Sequence, residues 1–391
     1  MFAAVVLTAC SSAKVAGDAG ADAYVEPDSG YDPHPTLPPW LTDARVLVSG
    51  HDKEAEWSCR TNLCRHDENV DMTTFGGATF LVHRTARSQT LGPNSSLHVL
   101  KTTDGGKNFA DVATIPAPMD RDLRDPHFFQ VGSELWIKAI TRLPVVSDRD
   151  SNVDSVSVVT HSSDGALWSA LQPIAPPTWS FWRPRERAGT WYSAAYEDGD
   201  KRVVLWSSTD GATWTKGAEV YGVSADTPLE TELVFMPSGR MLALVRMDGT
   251  DAELLAVTGR LRTAICWAMP PYDAFTCPST IDGQRLDGPL ALTWNGRVFV
   301  VARKHLQDGS GRKRTALFEL TGTLEGGPLG IKEWGELPSA GDTAYAGAAM
   351  IDANRAVLGW YSGDLFTDKP WVLAMFDLTD IWTATLDFSK L

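Results

Sequence analysis

Ser207-Ser208-Thr209-Asp210-Gly211-Ala212-Thr213-Trp214 is a turn sequence that occurs in three related copies along the chain. The other copies are Thr102-Thr103-Asp104-Gly105-Gly106-Lys107-Asn108-Phe109 and Ser162-Ser163-Asp164-Gly165-Ala166-Leu167-Trp168. In each copy a hydroxyl residue precedes an Asp-Gly pair, and an aromatic residue follows three or four residues after the first glycine. Each copy also follows a short apolar run, so the pattern predicts one hairpin used three times.

The Asp-Gly pair gives the physical reason for the turn. Glycine accepts a positive φ, and the aspartate carboxylate accepts hydrogen bonds from N–H groups of its own loop. The Ser or Thr adds a second local hydrogen bond, and the aromatic ring fills the gap to a neighbouring sheet. Asp104, Asp164 and Asp210 are separated by 60 and 46 residues, a spacing typical of β-propeller blades.

The rest of the chain from residue 44 onward has the same character. Short apolar or alternating runs recur between clusters of Gly, Asp, Asn and Pro, and no long window has a 3.6-residue period. We therefore expect few helices. Dividing residues 44–391 by the spacing of the turns gives six or seven blades. We expect an all-β fold, a six-bladed β-propeller of four-stranded antiparallel blades.

Composition limits the function classes. The chain has 391 residues, 15 of them Trp, and a formal net charge of −14. An acidic protein without a basic stripe does not neutralise phosphates, which argues against a nucleic-acid partner. The tryptophans suit either the gaps between sheets or the stacking of sugars. We expect a monomer that uses no metal or other cofactor.

The first residues read as an export signal. Residues 1–10 are an apolar run that ends in Leu7-Thr8-Ala9-Cys10, which resembles the bacterial lipobox with Cys10 as the lipidated residue. Residues 11–43, rich in Ala, Gly, Asp and Pro, predict a disordered linker. The expectation is an exported lipoprotein of the cell envelope, at the outer membrane or cell surface, that contacts a membrane only through its lipid. The alternative is an ordinary signal peptide without its start.

Four cysteines remain after Cys10. In an exported protein an even number indicates disulfides, and the short separations favour Cys59–Cys64 and Cys266–Cys277 among three connectivities. A metal site formed by the four cysteines is the alternative, but nothing in their spacing requires it.

The three turns resemble the Asp-box repeats of the sialidase (neuraminidase) superfamily. Glu230 through Arg246, Asp287 through Arg303, and Gly341-Asp342-Thr343-Ala344-Tyr345-Ala346-Gly347 leading into Val357 to Tyr361 are similar to later blades of that family. The resemblance covers most of residues 70–362. It implies a six-bladed propeller with its active site at the central axis, and it places Asp104, Asp164 and Asp210 away from that site as structural residues.

The resemblance also implies site residues. Family arginines grip a substrate carboxylate by bidentate pairing, and Arg246 and Arg303 match two of them, with Arg84 a looser match. Each could equally be a blade-edge arginine. Tyr345 matches the nucleophile, which sialidases use in place of a carboxylate. Glu230 matches the residue that takes its proton, and Glu232 is a substitute on the same strand face.

One part of the family pattern is missing. Between Arg84 and Lys101 the chain has no acidic residue to serve as acid/base, and the Phe/Tyr-Arg-Ile-Pro motif is absent as well. Asp125 is the candidate acid, because Pro126 holds it in an extended geometry at a strand start. Arg124-Asp125-Pro126 also resembles a motif of five-bladed furanosidase-type hydrolases. In that reading Asp67 or Asp71 would join Asp125 and Glu230 in an inverting site.

Two further candidates lie near these motifs. Trp182 and Arg183, within Trp179-Ser180-Phe181-Trp182-Arg183-Pro184, read either as a platform for stacking a sugar or as a packed strand. Arg124 is a further candidate for substrate binding. Three functions therefore stay open: a sialidase-like glycoside hydrolase acting on an anionic or other glycan, a propeller that binds a glycan or protein without turnover, and an inverting furanosidase-type hydrolase.

Overall fold

The structure is a computed structural model that describes residues 35–391, apart from 52, 54, 55, 57, 91, 144–153, 198, 200 and 250–260. The predicted signal segment 1–10, its Cys10 and the linker up to residue 34 lie outside the described residues. Among the described residues, no helix combines the length and apolar character needed to cross a membrane.

The described chain is almost entirely β-strand, as expected from the short apolar runs between turn residues. One helical turn, α1 (Trp371–Ala374), and a final 3-10 turn (Phe388–Lys390) are the exceptions in the assigned elements. The strands are β1 (Leu41–Val48), β2 (His66–Phe75), β3 (Ala78–Ala86), β4 (Ser96–Thr102), β5 (Ala110–Pro116), β6 (Asp122–Val131), β7 (Glu134–Arg142), β8 (Val156–Ser162), β9 (Gln172–Pro173), β10 (Trp179–Phe181), β11 (Arg185–Arg187), β12 (Thr190–Glu197), β13 (Arg202–Ser208), β14 (Thr215–Tyr221), β15 (Pro228–Phe235), β16 (Met241–Met247), β17 (Arg262–Ala268), β18 (Thr276–Asp282), β19 (Asp287–Trp294), β20 (Arg297–His305), β21 (Lys313–Gly322), β22 (Leu329–Glu336), β23 (Thr343–Met350), β24 (Arg355–Gly363) and β25 (Thr379–Asp387).

Backbone hydrogen bonds arrange these strands as a propeller with antiparallel blades, which confirms the predicted all-β propeller fold. Within the described residues they form five sheets rather than six: β6 to β9, β10 to β14, β15 to β18, β19 to β22, and one eight-stranded sheet. The last contains β23, β24, β25 and β1 together with β2 to β5. Its two halves meet at one parallel pair, His66 with Thr379.

Strand β1 brings the start of the folded region onto its last strand. It pairs with β25 from Leu41 opposite Leu386 to Val48 opposite Ile381. Trp40 and Leu41 are buried in a hydrophobic cluster that also contains Phe388. The propeller therefore begins slightly before residue 44, because these side chains fill the last sheet rather than a linker.

The three Asp-Gly turns form the local hydrogen bonds expected of them. Asp210 Oδ1 accepts from the N–H groups of Ala212 at 3.0 Å and Thr213 at 2.7 Å, and the Trp214 indole donates to the Gly211 carbonyl at 2.9 Å. The hydroxyl that bonds the aspartate is Ser208, two residues before it, rather than the adjacent threonine. These bonds lower the pKa of Asp210.

Each turn packs through a glycine, against the preceding sheet in the second and third copies and against the other half of its own eight-stranded sheet in the first. A Cβ on Gly211 would lie 2.9 Å from Val131, and one on Gly165 would overlap Phe80. In the first copy the second glycine, Gly106, takes this place and would lie 2.7 Å from Val357. That shift by one residue explains the longer interval to the aromatic residue in this copy.

Both predicted disulfides are present. Cys59 bonds Cys64 just before β2, and Cys266 on β17 bonds Cys277 on β18. The short separations in sequence were sufficient to identify the pairs.

Six strands from the five sheets face one another around the axis. Residues of β2, β6, β11, β15, β19 and β23, here called the inner strands, line a single cavity of about 590 Å³. Four inner strands have a register irregularity near their start that contains a residue with positive φ. These residues are Asn69 (+54°), Asp125 (+51°), Gly288 (+57°) and Tyr345 (+47°).

Candidate active site

Tyr345 is at the centre of a hydrogen-bonded group built from four strands, β15, β16, β19 and β23. Its hydroxyl donates to Glu230 Oε1 at 2.5 Å and accepts from Arg246 Nη1 at 3.2 Å. Arg246 also contacts Glu230 Oε2 at 2.8 Å, while the Gly288 N–H donates to the same oxygen at 2.8 Å. Tyr345 is partly accessible to solvent, whereas Glu230 and Arg246 are buried.

Gly288 is required by the ring of Tyr345. A Cβ at this position would lie 2.7 Å from the ring carbons Cγ and Cδ2 of Tyr345, and the backbone φ of +57° also favours glycine. The Asp287-Gly288-Pro289 sequence therefore helps to position the tyrosine as well as to begin β19.

The environment holds Tyr345 in its protonated form. Burial, with the negative charge of Glu230, raises the pKa of Tyr345 well above its usual value, although Arg246 and Arg303 act in the opposite direction. The Arg303 guanidinium lies 5.1 Å from the ring centroid. A phenol with this pKa reacts as a nucleophile only when a base accepts its proton, and Glu230 is in contact to do so.

The other predicted arginines are paired with internal carboxylates. Arg84 donates to Glu68 at 2.5 Å and to Asp122 at 2.8 Å, and Arg124 donates to Glu68 at 3.1 Å. Burial alone would raise the pKa of Glu68, but Arg84 and Arg124 outweigh it and hold that pKa well below its usual range.

Arg246 and Arg303 are likewise paired. Arg246 Nε lies 2.6 Å from Asp248 and 3.3 Å from Asp287. Arg303 donates to Asp342 at 2.9 Å and to the Tyr361 hydroxyl at 2.8 Å.

These contacts form one connected network, here called the axial cluster. His66 links its two sides, because its Nε2 lies 3.4 Å from Glu68 and 3.9 Å from Asp342. The members are His66, Glu68, Arg84, Asp122, Arg124, Asp125, Glu230, Arg246, Asp248, Asp287, Arg303, Asp342, Tyr345 and Tyr361.

Asp125 joins the cluster through Arg124, whose Nε lies 3.7 Å from its carboxylate. Burial, together with the charges of Glu230 and Glu68, raises the pKa of Asp125 despite the opposing charges of Arg124 and Lys138. Lys138 is fully buried and donates to the carbonyls of Asp125 at 3.1 Å and Phe181 at 2.5 Å. The pKa of Lys138 falls to about 7, mainly because of burial.

Asp125 and Tyr345 occupy equivalent positions in two blades. Both are the positive-φ residue in the register irregularity of an inner strand, on β6 and β23 respectively. The extended geometry expected of Asp125 is therefore wrong, because the irregularity holds its backbone in the left-handed region at +51°. The irregularity adds one residue to the inner strand, which redirects a side chain relative to regular pairing. This repeated feature explains how residues far apart in sequence reach one site.

Trp182 and Arg183 lie behind this group. Trp182 is only 1% exposed, and its ring centroid lies 5.8 Å from that of Tyr345 and 4.8 Å from that of His127, both in edge-on contacts. Arg183 is bonded to Asp71 and to the Ala346 carbonyl. Buried in this way, Trp182 supports Tyr345 and has no free face on which a sugar could stack.

The remaining predicted carboxylates lie elsewhere. Glu232 accepts from Arg185, and Asp71 accepts from Arg183 and from the Phe128 N–H. Asp67 lies 3.4 Å from His83. No hydrogen bond or ion pair joins these three to Tyr345 or Asp125 within the described part of the chain, so Glu230, not Glu232, contacts the tyrosine.

The sequence reasoning missed the carboxylates that neutralise the arginines. Glu68, Asp122 and Asp287 lie at or near the start of inner strands, and each faces an arginine of the following strand in register: Arg84, Arg142 and Arg303. An acid at the start of one strand and an arginine at the end of the next was visible in the sequence at Glu230 and Arg246. The same acid–arginine pattern recurs in other blades, and this recurrence could have identified Glu68, Asp122 and Asp287 as partners of arginines.

Comparisons with known proteins show the fold but no family. No protein-family model matches the sequence, and no curated protein matches it either. Several solved structures share the fold. A protein of unknown function from Dyadobacter fermentans DSM 18053 is 17% identical, with 88% of this chain and 99% of that chain covered and a TM-score of 0.57.

Sialidases are among the other structural neighbours. Trypanosoma rangeli sialidase in complex with sialic acid is 13% identical, with 88% of this chain and 59% of that chain covered and a TM-score of 0.59. NanB sialidase from Streptococcus pneumoniae is 12% identical, with 87% and 71% covered and a TM-score of 0.61. At these identities the likeness defines a class of fold, a sialidase-like propeller, and nothing finer.

Proposed function

We propose that this chain is a glycoside hydrolase with a sialidase-like propeller body. The observation that carries the proposal is the contact of the Tyr345 hydroxyl with Glu230 at 2.5 Å, with Arg246 bonded to both residues. A tyrosine next to a carboxylate base at the axis, and partly open to solvent, is the arrangement that a tyrosine nucleophile requires.

The proposal includes a six-bladed body. Cutting the eight-stranded sheet at its single pair, His66 with Thr379, leaves β2 to β5 as one unit and β23, β24, β25 and β1 as another. With the four other sheets this makes six units. The three Asp-Gly turns, on the outer strands of three units, fit the Asp-box interpretation.

In the proposed reaction, the Tyr345 oxygen attacks the anomeric carbon of the sugar while its proton passes to Glu230. The bond from that carbon to the leaving-group oxygen breaks, and Asp125 donates a proton to this oxygen. Water then attacks the anomeric carbon of the glycosyl-tyrosine and gives a proton to Asp125. The bond from that carbon to the Tyr345 oxygen breaks, the sugar is released, and Glu230 returns its proton to the Tyr345 oxygen. Asp125 suits the role of acid because burial raises its pKa and so favours its protonated form.

The substrate proposed is a glycan without a carboxylate at the reacting sugar. Arg84, Arg124, Arg246 and Arg303 each bind at least one internal carboxylate. An acidic sugar would have to compete with these buried carboxylates for a guanidinium, and breaking a buried pair costs about 3–5 kcal/mol. A neutral sugar avoids that cost.

The same pairing motivates the second candidate, a propeller that binds a glycan or protein without turnover. Arginines held by internal carboxylates stiffen the axis without any need for chemistry. The furanosidase-type alternative has less support, since Asp67 and Asp71 have other partners than Asp125.

We also propose that the protein is exported and anchored at the cell envelope through Cys10. The two disulfides support the exported location, because such bonds persist in oxidising compartments.

Turnover of a panel of aryl glycosides by the purified protein tests the function. The panel should contain neutral pyranosides, furanosides and sialosides. We expect release of the aryl group from a neutral glycoside and none from the sialosides. Turnover of sialosides alone would contradict the substrate class. Failure on all substrates, with glycan binding detected on an array, would leave the non-catalytic alternative.

A further inference from the structure

Three buried ligand atoms meet where the ring of sheets closes. His66 Nε2 lies 3.4 Å from Glu68 Oε2 and 3.9 Å from Asp342 Oδ2, and the three atoms lie within 4.8 Å of one another. Two ligand atoms on one tetrahedral metal at about 2.0–2.1 Å lie about 3.4 Å apart. The His66–Glu68 separation therefore already suits a shared metal, and Asp342 Oδ2 would move slightly closer on binding. All three side chains are at most 1% exposed.

The short hydrogen bond of His66 is made by Nδ1, and Nε2 faces Glu68 Oε2 at 3.4 Å. Its Nδ1 lies 2.7 Å from the Asp377 carbonyl oxygen, which can only accept, so Nδ1 carries the hydrogen. In the neutral ring, Nε2 therefore presents a lone pair to the two carboxylates. A histidine that ligates a metal is typically oriented by such a bond from its other nitrogen to a carbonyl.

Each of the two carboxylates likewise uses one oxygen for its other partners and directs the second oxygen toward His66. Glu68 uses Oε1 for Arg84 and Arg124, and Asp342 uses Oδ1 for Arg303, Tyr361 and Trp371. Asp342 Oδ2, fully buried and aimed at His66, has no hydrogen-bond partner. An unpaired buried carboxylate oxygen is costly unless something binds it.

From this geometry we infer that His66, Glu68 and Asp342 form a binding site for one divalent transition-metal ion of the Zn²⁺ type. One imidazole nitrogen and two carboxylate oxygens suit Zn²⁺, whereas Mg²⁺ and Ca²⁺ prefer oxygen ligands alone. The sequence predicted no metal, because the three residues are distant along the chain and lack a recognisable spacing.

The site would act as a clip across the closure of the propeller. His66 forms the single backbone pair with Thr379, and Asp342 lies immediately before β23. A metal bound by both residues would connect β2 to β23 at a place where few backbone hydrogen bonds join the two halves of the sheet. Asp342 also holds Arg303 next to Tyr345, so the clip would support the axial cluster. This inference does not depend on the proposed function.

Metal content and thermal stability of the full chain test the inference. The protein should be stripped with a chelator, dialysed, loaded separately with Zn²⁺, Mg²⁺ or Ca²⁺, and measured by elemental mass spectrometry and thermal unfolding. We expect one Zn²⁺ per chain and a rise in Tm of several degrees that the chelator reverses, with no stoichiometric Mg²⁺ or Ca²⁺. Loading with Co²⁺ should add visible d–d absorption.

His66→Gln should abolish stoichiometric Zn²⁺ binding and the Co²⁺ absorption. His305→Gln is the matched control, because His305 is also buried and bonded to a carboxylate, Asp287 at 2.7 Å, but lies outside the three-residue site. It should keep one Zn²⁺. If wild-type protein shows no bound Zn²⁺, no Tm shift and no Co²⁺ absorption, His66 is instead a protonated partner of two carboxylates and the inference is wrong. That wild-type result decides even if His66→Gln does not fold.

Discussion

The aspartates of the outer turns and the carboxylates of the axial cluster are stabilised in opposite ways. Asp210 is exposed and bonds residues within three positions of itself. Glu230 is buried and bonds Tyr345, which lies 115 positions away. A turn can therefore form as soon as its own hairpin forms, whereas the axial cluster exists only when the sheets have closed into a ring.

Because of this difference, we expect changes in the turns and changes in the axial cluster to affect stability and activity differently. A change in a turn should affect one hairpin and leave the axis intact. A change in the axial cluster should disturb groups from several sheets, and activity should be more sensitive than folding.

The largest effect is expected for Asp125→Asn, which removes the proposed acid without changing its size. The rate on substrates with poor leaving groups should fall by about 10²–10⁴-fold. Substrates with good leaving groups, which need no proton, should be affected less. Asp164→Asn, the same change in an outer turn, should leave the rate unaltered. Steady-state kinetics with both leaving-group classes check this, and equal losses in both variants would remove the distinction between the two regions.

The pH dependence of the same reaction sharpens this test. Because burial raises the pKa of Asp125, its protonated form persists above the usual carboxyl range. Wild-type activity should fall as the pH rises through that raised pKa, since the acid then loses its proton. The Asp125→Asn variant should lack this decline. A decline that persists unchanged in the variant would assign the acid to another residue.

Gly288→Ala tests the positioning of Tyr345 by its neighbour. The added Cβ would lie 2.7 Å from the ring, so the tyrosine must move, and a displacement of about 1 Å can cost about 100-fold in rate. Gly76→Ala is a matched control, because Gly76 has nearly the same φ, +56°, and no atom within 4 Å of the added Cβ. Both variants should lose stability through the strained φ, and Gly288→Ala should lose more because it adds the clash with the ring. Equal activities would contradict the role of Tyr345.

Some of this arrangement was predictable from the sequence and some was not. The turns, the strands and both disulfides depend on residues close together in the chain, so local patterns identified them. Tyr345, Glu230, Arg246 and Arg303 were identified through motif resemblance, and the structure brings them into one network.

Contacts between blades were not predictable in this way. The pairing of β1 with β25, the burial of Trp182 behind Tyr345 and the single bridge at His66 depend on how the ring closes. The charge balance at the axis was also missed, since the partners of each arginine come from different strands. The predicted linker ended at residue 43, whereas Trp40 and Leu41 already belong to the folded region. Their burial depends on β25, near the other end of the chain, so the local sequence does not reveal it.

Lys138→Met should change how stability depends on pH. Burial lowers the pKa of Lys138 to about 7, so between pH 7 and the usual lysine range the unfolded chain holds a proton that the folded chain does not. The free energy of unfolding should therefore rise with pH in this window, by up to about 1.4 kcal/mol per pH unit.

Thermal or denaturant unfolding between pH 7 and 9 measures that slope. Lys138→Met should lack this contribution, while Lys107→Met, at an exposed lysine of an outer turn, should keep it. Identical slopes in wild type and Lys138→Met would mean that the buried amine keeps its ordinary proton affinity.

The smallest effect is expected for Asp210→Ala in the outer turn. The variant loses the bonds to Ala212 and Thr213, and its Tm should fall by about 2–4 °C with no change in activity. Because hydrogen bonds lower the pKa of Asp210, its stabilising effect is present above the ordinary carboxyl pKa and is lost as the pH falls through the lowered value. A loss of activity in this variant would show that the turns and the axis are coupled.

Covalent trapping tests the central claim, that Tyr345 is the nucleophile of the axial cluster, most directly. The protein should be incubated with an activated 2-deoxy-2-fluoro derivative of whichever glycoside it hydrolyses, and then analysed by intact mass and peptide mapping. We predict one glycosyl group per chain, attached to Tyr345 and absent from Tyr345→Phe. A hydrolysed substrate with no adduct, or an adduct on another residue, would contradict the account.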